Sequence, residues 1–174
     1  MPLFQIADDI RAALPEQARA FDFLQGAWMI HHRRLRERLV GSTEWIEFET
    51  PFVMEQLLGG LGNLDQCRTL PPAPFYEGVS LRFFDRAAEQ WMIYWVDSNT
   101  GQLCPPVEGV FDGDRGTFHG DDTHAGAPVR VRFLWDKSRP EAPTWQQAFS
   151  IDGGATWETN WHMAFRWVAP GAGR

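Results

Sequence analysis

Large apolar side chains, many of them aromatic, recur at every second position along several short segments of this chain. The clearest segment spans residues 155–167, where the even positions are mostly polar. Its odd positions hold Trp157, Trp161, Met163, Phe165 and Trp167. A period of two places alternate side chains on opposite faces of a strand, so each such segment predicts a β-strand with one buried face. Repeated along a chain with 9 Trp and 13 Phe, the pattern predicts an antiparallel sheet curled around an aromatic interior.

Clusters of Gly, Asp, Asn and Pro divide the chain into about ten alternating segments. The predicted strands are residues 26–39, 43–57, 63–70, 75–85, 90–97, 107–111, 116–120, 129–136, 144–151 and 155–168. An antiparallel sheet of about ten strands is near the size at which open sheets curl or close, and closure removes exposed edges. We therefore predict an all-β, up-and-down antiparallel barrel over residues 26–168, with a two-sheet sandwich as the alternative. A short helix over residues 5–20 precedes it, and residues 1–174 form a single domain.

Charge and composition narrow the classes of partner. The net charge of −7 and the pI near 5.2 argue against nucleic acid, because an acidic protein gains nothing from counterion release. No segment is apolar enough for a transmembrane helix, and residues 1–20 carry charges where a signal peptide requires an apolar run. The two cysteines, Cys67 and Cys104, match no metal spacing and are expected to be reduced thiols. These features predict a cytoplasmic protein without a membrane partner, and they leave a homodimer open.

The first hairpin decides which side chains of its strands face the interior. If Val40 pairs with Thr43, Arg34 faces Glu49 across the two strands. Such charge pairs contribute only ~0.2–1 kcal/mol each, so burial of the apolar side chains outweighs them and the arginine–glutamate pairs are expected outside. The inward set of the first strand is then His31, Arg33 and Leu35.

Two positions relate this pattern to a known superfamily. Gly26-Ala27-Trp28 opens the first strand and Arg166 lies in the last. The pair resembles the calycin superfamily, which includes lipocalins and fatty-acid-binding proteins, where a Gly-x-Trp begins the first strand and a basic residue near the last strand covers the indole. The resemblance implies that Arg166 covers Trp28 and caps the barrel end, a contact worth ~0.5–2 kcal/mol. Trp28 and Arg34 are an even number of residues apart, so a regular strand would place both on the same face. Trp28 inside with Arg34 outside therefore requires a β-bulge in residues 29–33.

A longer resemblance covers roughly residues 21–168. The segments Phe21–Trp28, Trp95–Ser98 and Asp152–Glu158 are similar to those of a bacterial group of calycin-like barrels. This resemblance implies the barrel fold and brings no established activity.

The inward positions suggest what the barrel holds. Small barrels either fill completely with side chains or keep a pocket, and both outcomes are open at this point. By analogy of fold and because of the aromatic interior, we predict noncatalytic binding of a small, mostly apolar or aromatic molecule, with no cofactor. His31 or Arg33 would meet an anionic end of the ligand. The predicted ligand-binding residues are His31, Arg33, Trp91, Trp95, Asp97, Phe133, Trp135, Trp161 and Met163.

Two alternatives involve chemistry at the barrel mouth. Asp97 ends the alternation of its strand, so it either acts as a catalytic base beside a histidine or serves only as a turn residue. A metal could bind the weak candidate ligands His119, Asp121 and His124, whose other interpretation is a polar turn. A haem-binding barrel of the nitrobindin type would use a histidine late in the chain, here His162. The alternation of its strand, however, points the His162 side chain outward.

Overall fold

A computed structural model describes residues 12–168, which form a closed antiparallel barrel of ten strands in up-and-down order. Each strand pairs with the next along the chain, and the first pairs with the last. The strands are β1 (Ala27–Leu35), β2 (Trp45–Leu57), β3 (Gly62–Arg68), β4 (Glu77–Asp85), β5 (Gln90–Asp97), β6 (Val107–Asp112), β7 (Arg115–His124), β8 (Ala127–Asp136), β9 (Thr144–Ser150) and β10 (Glu158–Trp167). The predicted all-β barrel is therefore confirmed, and the sandwich alternative is not adopted.

Most of the predicted strands lie within a few residues of the observed ones, with one marked difference. The seventh strand was expected to end at Gly120, but β7 continues to His124 and pairs with β8 along its whole length. The predicted helix over residues 5–20 begins outside the described residues. Within them, a 3-10 turn spans Glu16–Arg19 near the end of this range, and a second one, Asp22–Leu24, follows it.

Residues 16–24, which include both turns, form a plug that closes one end of the barrel. Phe21 and Leu24 are almost completely buried, and Phe21 makes edge contacts with Trp91 and Phe111 at centroid distances of 5.0 and 5.1 Å. Hydrogen bonds fix this plug to the strands, because the Trp91 Nε1 donates to the Gln17 carbonyl at 2.7 Å. The opposite end carries the connections 36–44, 69–76, 98–106, 125–126 and 151–157.

The first hairpin has a different register from the predicted one. Glu49 faces His31 rather than Arg34, a shift of three residues, because residues 36–44 form a longer connection than the predicted turn. An odd shift exchanges the two faces of a strand. His31 and Arg33 therefore lie on the outer surface, where both approach Glu47, and the prediction that they point inward is wrong.

The same register places Trp28, Ile30 and His32 inside the barrel. Arg34 follows at this parity and also faces the interior. Pairing of β1 with β2 and β10 is continuous from Trp28 to Arg34, so the expected bulge in residues 29–33 does not form. The conflict between Trp28 and Arg34 disappears because both point inward.

The barrel end is closed by an aromatic side chain instead of by Arg166. Arg166 faces outward opposite Met29, and the prediction that it covers Trp28 is wrong. The residue opposite Trp28 is Trp167, and the two indoles meet edge to face with centroids 4.9 Å apart. The Trp167 ring also lies over Gly26, so closely that an added Cβ atom would clash with it.

The contact between Gly26 and Trp167 predicts a specific loss of stability in Gly26→Ala. Gly26 has a φ of +103°, so alanine is strained there, and its Cβ would also displace the Trp167 ring. Gly41→Ala is the matched control, because Gly41 has a φ of +73° and nothing within 4 Å of an added Cβ. Urea denaturation should show that Gly26→Ala loses ~1–3 kcal/mol more than Gly41→Ala.

Equal losses in the two glycine variants would contradict this account of closure. Arg166→Ala provides a second comparison, since an outward arginine without a buried partner should change the free energy of unfolding by less than ~0.5 kcal/mol.

Candidate functional site

A cavity of about 270 Å³ lies inside the barrel between the plug and the opposite loops. Its walls are largely aromatic, and several of the rings pack edge to face. Trp161 stands between Trp95 and Trp145, with centroid distances of 5.7 Å to each and interplanar angles of 89° and 81°. The interior is therefore a pocket with rigid aromatic walls and not a completely filled core.

Six of the nine predicted ligand-binding residues line this cavity. They are Trp95, Asp97, Phe133, Trp135, Trp161 and Met163. Trp91 does not line it, because its indole belongs to the packed closed end beside Phe21, and this correction follows from how deeply the plug enters the barrel. His31 and Arg33 are outside, for the reason of register given above.

Two arginines stand where the cavity approaches the loop end. The Arg34 guanidinium carbon lies 5.0 Å from the Trp161 ring centroid and 5.1 Å from that of Tyr76. The Arg38 guanidinium lies 5.6 Å from the Phe149 ring. Within residues 12–168 neither side chain forms an ion pair. The aromatic rings contact the two cations by cation–π interaction, and Arg34 also hydrogen-bonds the Tyr76 side chain.

Charges of both signs surround this mouth, because Asp97, Asp121 and Asp122 line the cavity together with the two arginines. Burial lowers the pKa of Arg38, and the neighbouring Arg34 lowers it further, while Asp97 and Glu158 act in the opposite direction. An arginine remains charged in spite of such shifts. The Leu39 N–H donates one bifurcated hydrogen bond to the Glu158 carboxylate, at 2.8 Å to Oε1 and 3.0 Å to Oε2.

The inner face of β3 and β4 carries a second polar group, which was not among the residues predicted from the sequence. Arg82 and Asp65 are both buried and form an ion pair, and the Arg82 Nη1 donates to the Asn63 Oδ1 at 2.8 Å. Burial raises the pKa of Asp65, and the charge of Arg82 opposes that rise. The sequence did carry a signal that Arg82 points inward. Arg82 lies two residues before the buried Phe84 in an alternating strand, so both side chains are on the same face.

His32 is the histidine inside the barrel, and both of its ring nitrogens have partners. The Trp161 Nε1–H donates to Nδ1 at 3.2 Å, so the proton is on Nε2, which lies 2.8 Å from the Thr50 Oγ1. The imidazole also stacks on Phe48 at a centroid distance of 4.5 Å. His32 thus supports the wall and has no free nitrogen for a haem iron. His162 lies on the outer side, with its ring 5.4 Å from that of Trp45.

The weak metal candidates are divided between the two faces of β7. His119 and Asp121 share one face, where Asp121 approaches Arg130 at 3.6 Å and His119 lies beside the Trp157 ring. His124 is at the mouth near Phe149, 5.6 Å away between ring centroids. The segment is a strand and not the expected polar turn, so alternation separates these side chains. In the part of the chain that the structure describes, no three His, Cys, Asp or Glu side chains form a group suited to a metal.

Asp97 has the role of a turn residue. Its Oδ1 accepts hydrogen bonds from the backbone N–H groups of Asn99 and Thr100 at 3.0 and 3.2 Å. Its Oδ2 lies 3.4 Å from the Tyr76 hydroxyl and 3.5 Å from the Trp95 Nε1. One carboxylate oxygen therefore caps the surface turn, and the other faces the cavity.

The two cysteines also line the cavity, and both are protonated thiols at neutral pH. Burial raises the pKa of Cys67 to about 12 and that of Cys104 to about 11. A thiol with a raised pKa is a poor nucleophile, because the thiolate is the reactive form.

Sequence comparisons find no match, whereas a comparison of folds finds a similar structure. No protein-family model and no curated protein matches the chain. The fold is similar to that of the S-type phycobiliprotein lyase CPES from Guillardia theta, with a TM-score of 0.55 and 10% identity over 96% of this chain and 98% of that one. At this identity the likeness shows a shared barrel fold alone. Within the described residues, no helix has the length and apolar character needed to cross a membrane.

His32 predicts a pH dependence of stability. The pKa of this buried imidazole is lowered from 6.5 to about 3, first by burial and then by Arg34 and His31. Below pH 6.5 the imidazole becomes protonated in the unfolded chain but stays neutral in the folded protein. The contribution of His32 to the free energy of unfolding is therefore complete above pH 6.5 and is lost as the pH falls towards 3. The slope should be ~1.4 kcal/mol per pH unit.

The measurement compares urea denaturation of the wild type and His32→Gln from pH 7 to pH 4. Other titrating groups are common to both proteins, so the difference in unfolding free energy should shrink as the pH falls. His31→Gln, at an exposed neighbour, should lack this trend. A difference that is constant with pH would contradict a neutral, buried His32.

Proposed function

We propose that this protein binds a small, mostly apolar molecule with an anionic end inside its barrel. The observation that carries the proposal is a cavity with aromatic walls and two arginines, Arg34 and Arg38, without carboxylate ion-pair partners in the described residues. Aromatic walls favour a flat apolar body, and a few placed polar groups orient it.

The size of the cavity limits the ligand. A volume of about 270 Å³ is near the lower end of the ~300–1,000 Å³ that ligand pockets usually have. We therefore infer a molecule of one or two rings, or a short aliphatic chain. The wall residues are held by packing and by bonds such as that from Trp161 to His32, so little side-chain order has to be gained on binding.

The position of the cations determines the orientation of the ligand. Arg34 and Arg38 are at the loop end, and the plug with Phe21 closes the other end. A carboxylate at the mouth would receive charge-assisted hydrogen bonds from guanidinium groups that are partly desolvated, and such bonds are stronger than those between neutral groups. The apolar body would then extend among the tryptophans.

Binding explains the site better than catalysis does. The candidate base Asp97 uses one carboxylate oxygen to cap its turn, and the two cavity thiols have raised pKa values. The similar fold of a phycobiliprotein lyase supports a barrel of this kind as the scaffold, and at 10% identity it supports no particular reaction or ligand.

Arginine variants test the proposal with a charged and an uncharged probe. 2-Naphthoate should quench the cavity tryptophans on binding, and Arg34→Gln or Arg38→Gln should weaken its affinity about tenfold or more, because a charge-assisted hydrogen bond is lost. 2-Naphthamide has nearly the same shape without the charge, and its affinity should change little in these variants.

Arg36→Gln is the matched control for this titration, because Arg36 pairs with Glu44 at 2.7 Å in the exposed connection 36–44. It should leave the affinity for 2-naphthoate unchanged. Failure of both probes to bind the wild type, or equal losses in Arg36→Gln and Arg34→Gln, would contradict the proposed function.

A further inference from the structure

The closed side of the cavity contains two N–H donors that have no acceptor among residues 12–168. The Arg82 Nε and the Trp135 Nε1 are both buried, and neither has a hydrogen-bond partner in the described residues. Both side chains line the cavity, and the Arg82 guanidinium carbon lies 5.9 Å from the Trp135 ring centroid. A buried donor without an acceptor loses the full free energy of its hydration, so two such donors beside one cavity are costly unless a ligand uses them.

Their position distinguishes them from other unpartnered groups. Gln17, Arg132 and Asn160 also have a buried polar atom without a hydrogen-bond partner, but none of these residues lines the cavity. Asp65 does line it, and its Oδ2 lacks a hydrogen bond, but that oxygen is an acceptor already paired with the Arg82 guanidinium. The remaining Arg82 contacts are made by Nη1, which bonds Asn63 and pairs with Asp65. The Nε–H is the donor of this guanidinium that is buried without a partner in the described residues.

The charge of the same group limits which acceptor fits. Arg82 is already paired with the buried carboxylate of Asp65, so a second anion here would be an uncompensated charge away from water. An uncharged carbonyl oxygen has two lone pairs and can accept from both donors without adding charge.

We infer that the buried end of the ligand carries an uncharged carbonyl oxygen, held by the Nε–H of Arg82 and the Nε1–H of Trp135. This inference rests on the proposed function and adds a chemical class to it. The ligand is a small aromatic or alicyclic ketone, aldehyde or related carbonyl compound, oriented with its carbonyl towards the plug and its anionic group towards Arg34 and Arg38.

Two neutral probes with nearly the same shape test the closed side of the cavity, here called its floor, where Arg82 and Trp135 lie. Being uncharged, they do not involve the arginines at the mouth. 2-Acetylnaphthalene carries the carbonyl, and 2-isopropylnaphthalene replaces it with an apolar group. The two affinities are compared after correction for the different hydration free energies of the compounds. On that basis the wild-type protein should bind 2-acetylnaphthalene roughly five- to fifty-fold more tightly than 2-isopropylnaphthalene. Infrared difference spectra should show the bound carbonyl stretch at lower frequency than in hexane.

Trp135→Phe removes one donor and keeps an aromatic ring. It should weaken binding of 2-acetylnaphthalene about fivefold or more and reverse part of the infrared shift, while binding of 2-isopropylnaphthalene changes little. Trp145→Phe is the matched control, because Trp145 also lines the cavity and has no such unpartnered buried nitrogen. Arg82→Lys retains the charge, removes Nε and should have an effect like that of Trp135→Phe.

The possible results separate the inference from the function on which it rests. If both naphthalenes bind with the same affinity after correction for solvation, or if Trp135→Phe and Trp145→Phe behave alike, the carbonyl site is wrong and the apolar pocket remains. If 2-naphthoate is more sensitive to Trp135→Phe than 2-acetylnaphthalene is, the floor binds an anion and the inference is overturned. If no probe binds, the proposed function fails and the inference fails with it.

Discussion

The pairing of the first strand with the last is the constraint on which the rest of this structure depends. Trp28 and Trp167 meet edge to face at that seam, and the Trp167 ring occupies the space above Gly26. The seam fixes the register of β1 between β2 and β10, and that register decides which side chains enter the barrel. His32 and Arg34 reach the interior for this reason, whereas His31 and Arg33 remain outside.

The interior is polar at two separate levels, and the two levels have different electrostatics. Near the loops, Arg34 and Arg38 are cations held by aromatic rings. Deeper in the barrel, the charge of Arg82 is balanced by Asp65. Aromatic walls lie between them, so a molecule with unlike ends has one preferred orientation. This difference between the ends is the physical basis for treating the cavity as a binding site with a direction.

Alternation was sufficient to predict the strands but not the details of the site. Trp95, Phe133, Trp135, Trp161 and Met163 were assigned to the interior from periodicity, and all five line the cavity. The error in the first hairpin came from assuming a short turn, because a shift of three residues reversed the facing of β1. Arg82 was missed because a charged residue in an alternating strand is usually on the solvent face.

The sequence by itself determined the ten antiparallel strands and left a closed barrel and a two-sheet sandwich as alternatives, because period-two apolar patterns and turn residues are local properties that each short segment carries alone. It also determined the aromatic character of the interior. Only the tertiary structure decided that Trp167 rather than Arg166 closes the end, that residues 16–24 plug the barrel, and that a cavity of about 270 Å³ remains. The physical reason is that closure, plug depth and cavity volume depend on packing between residues far apart in the chain, which no local pattern contains.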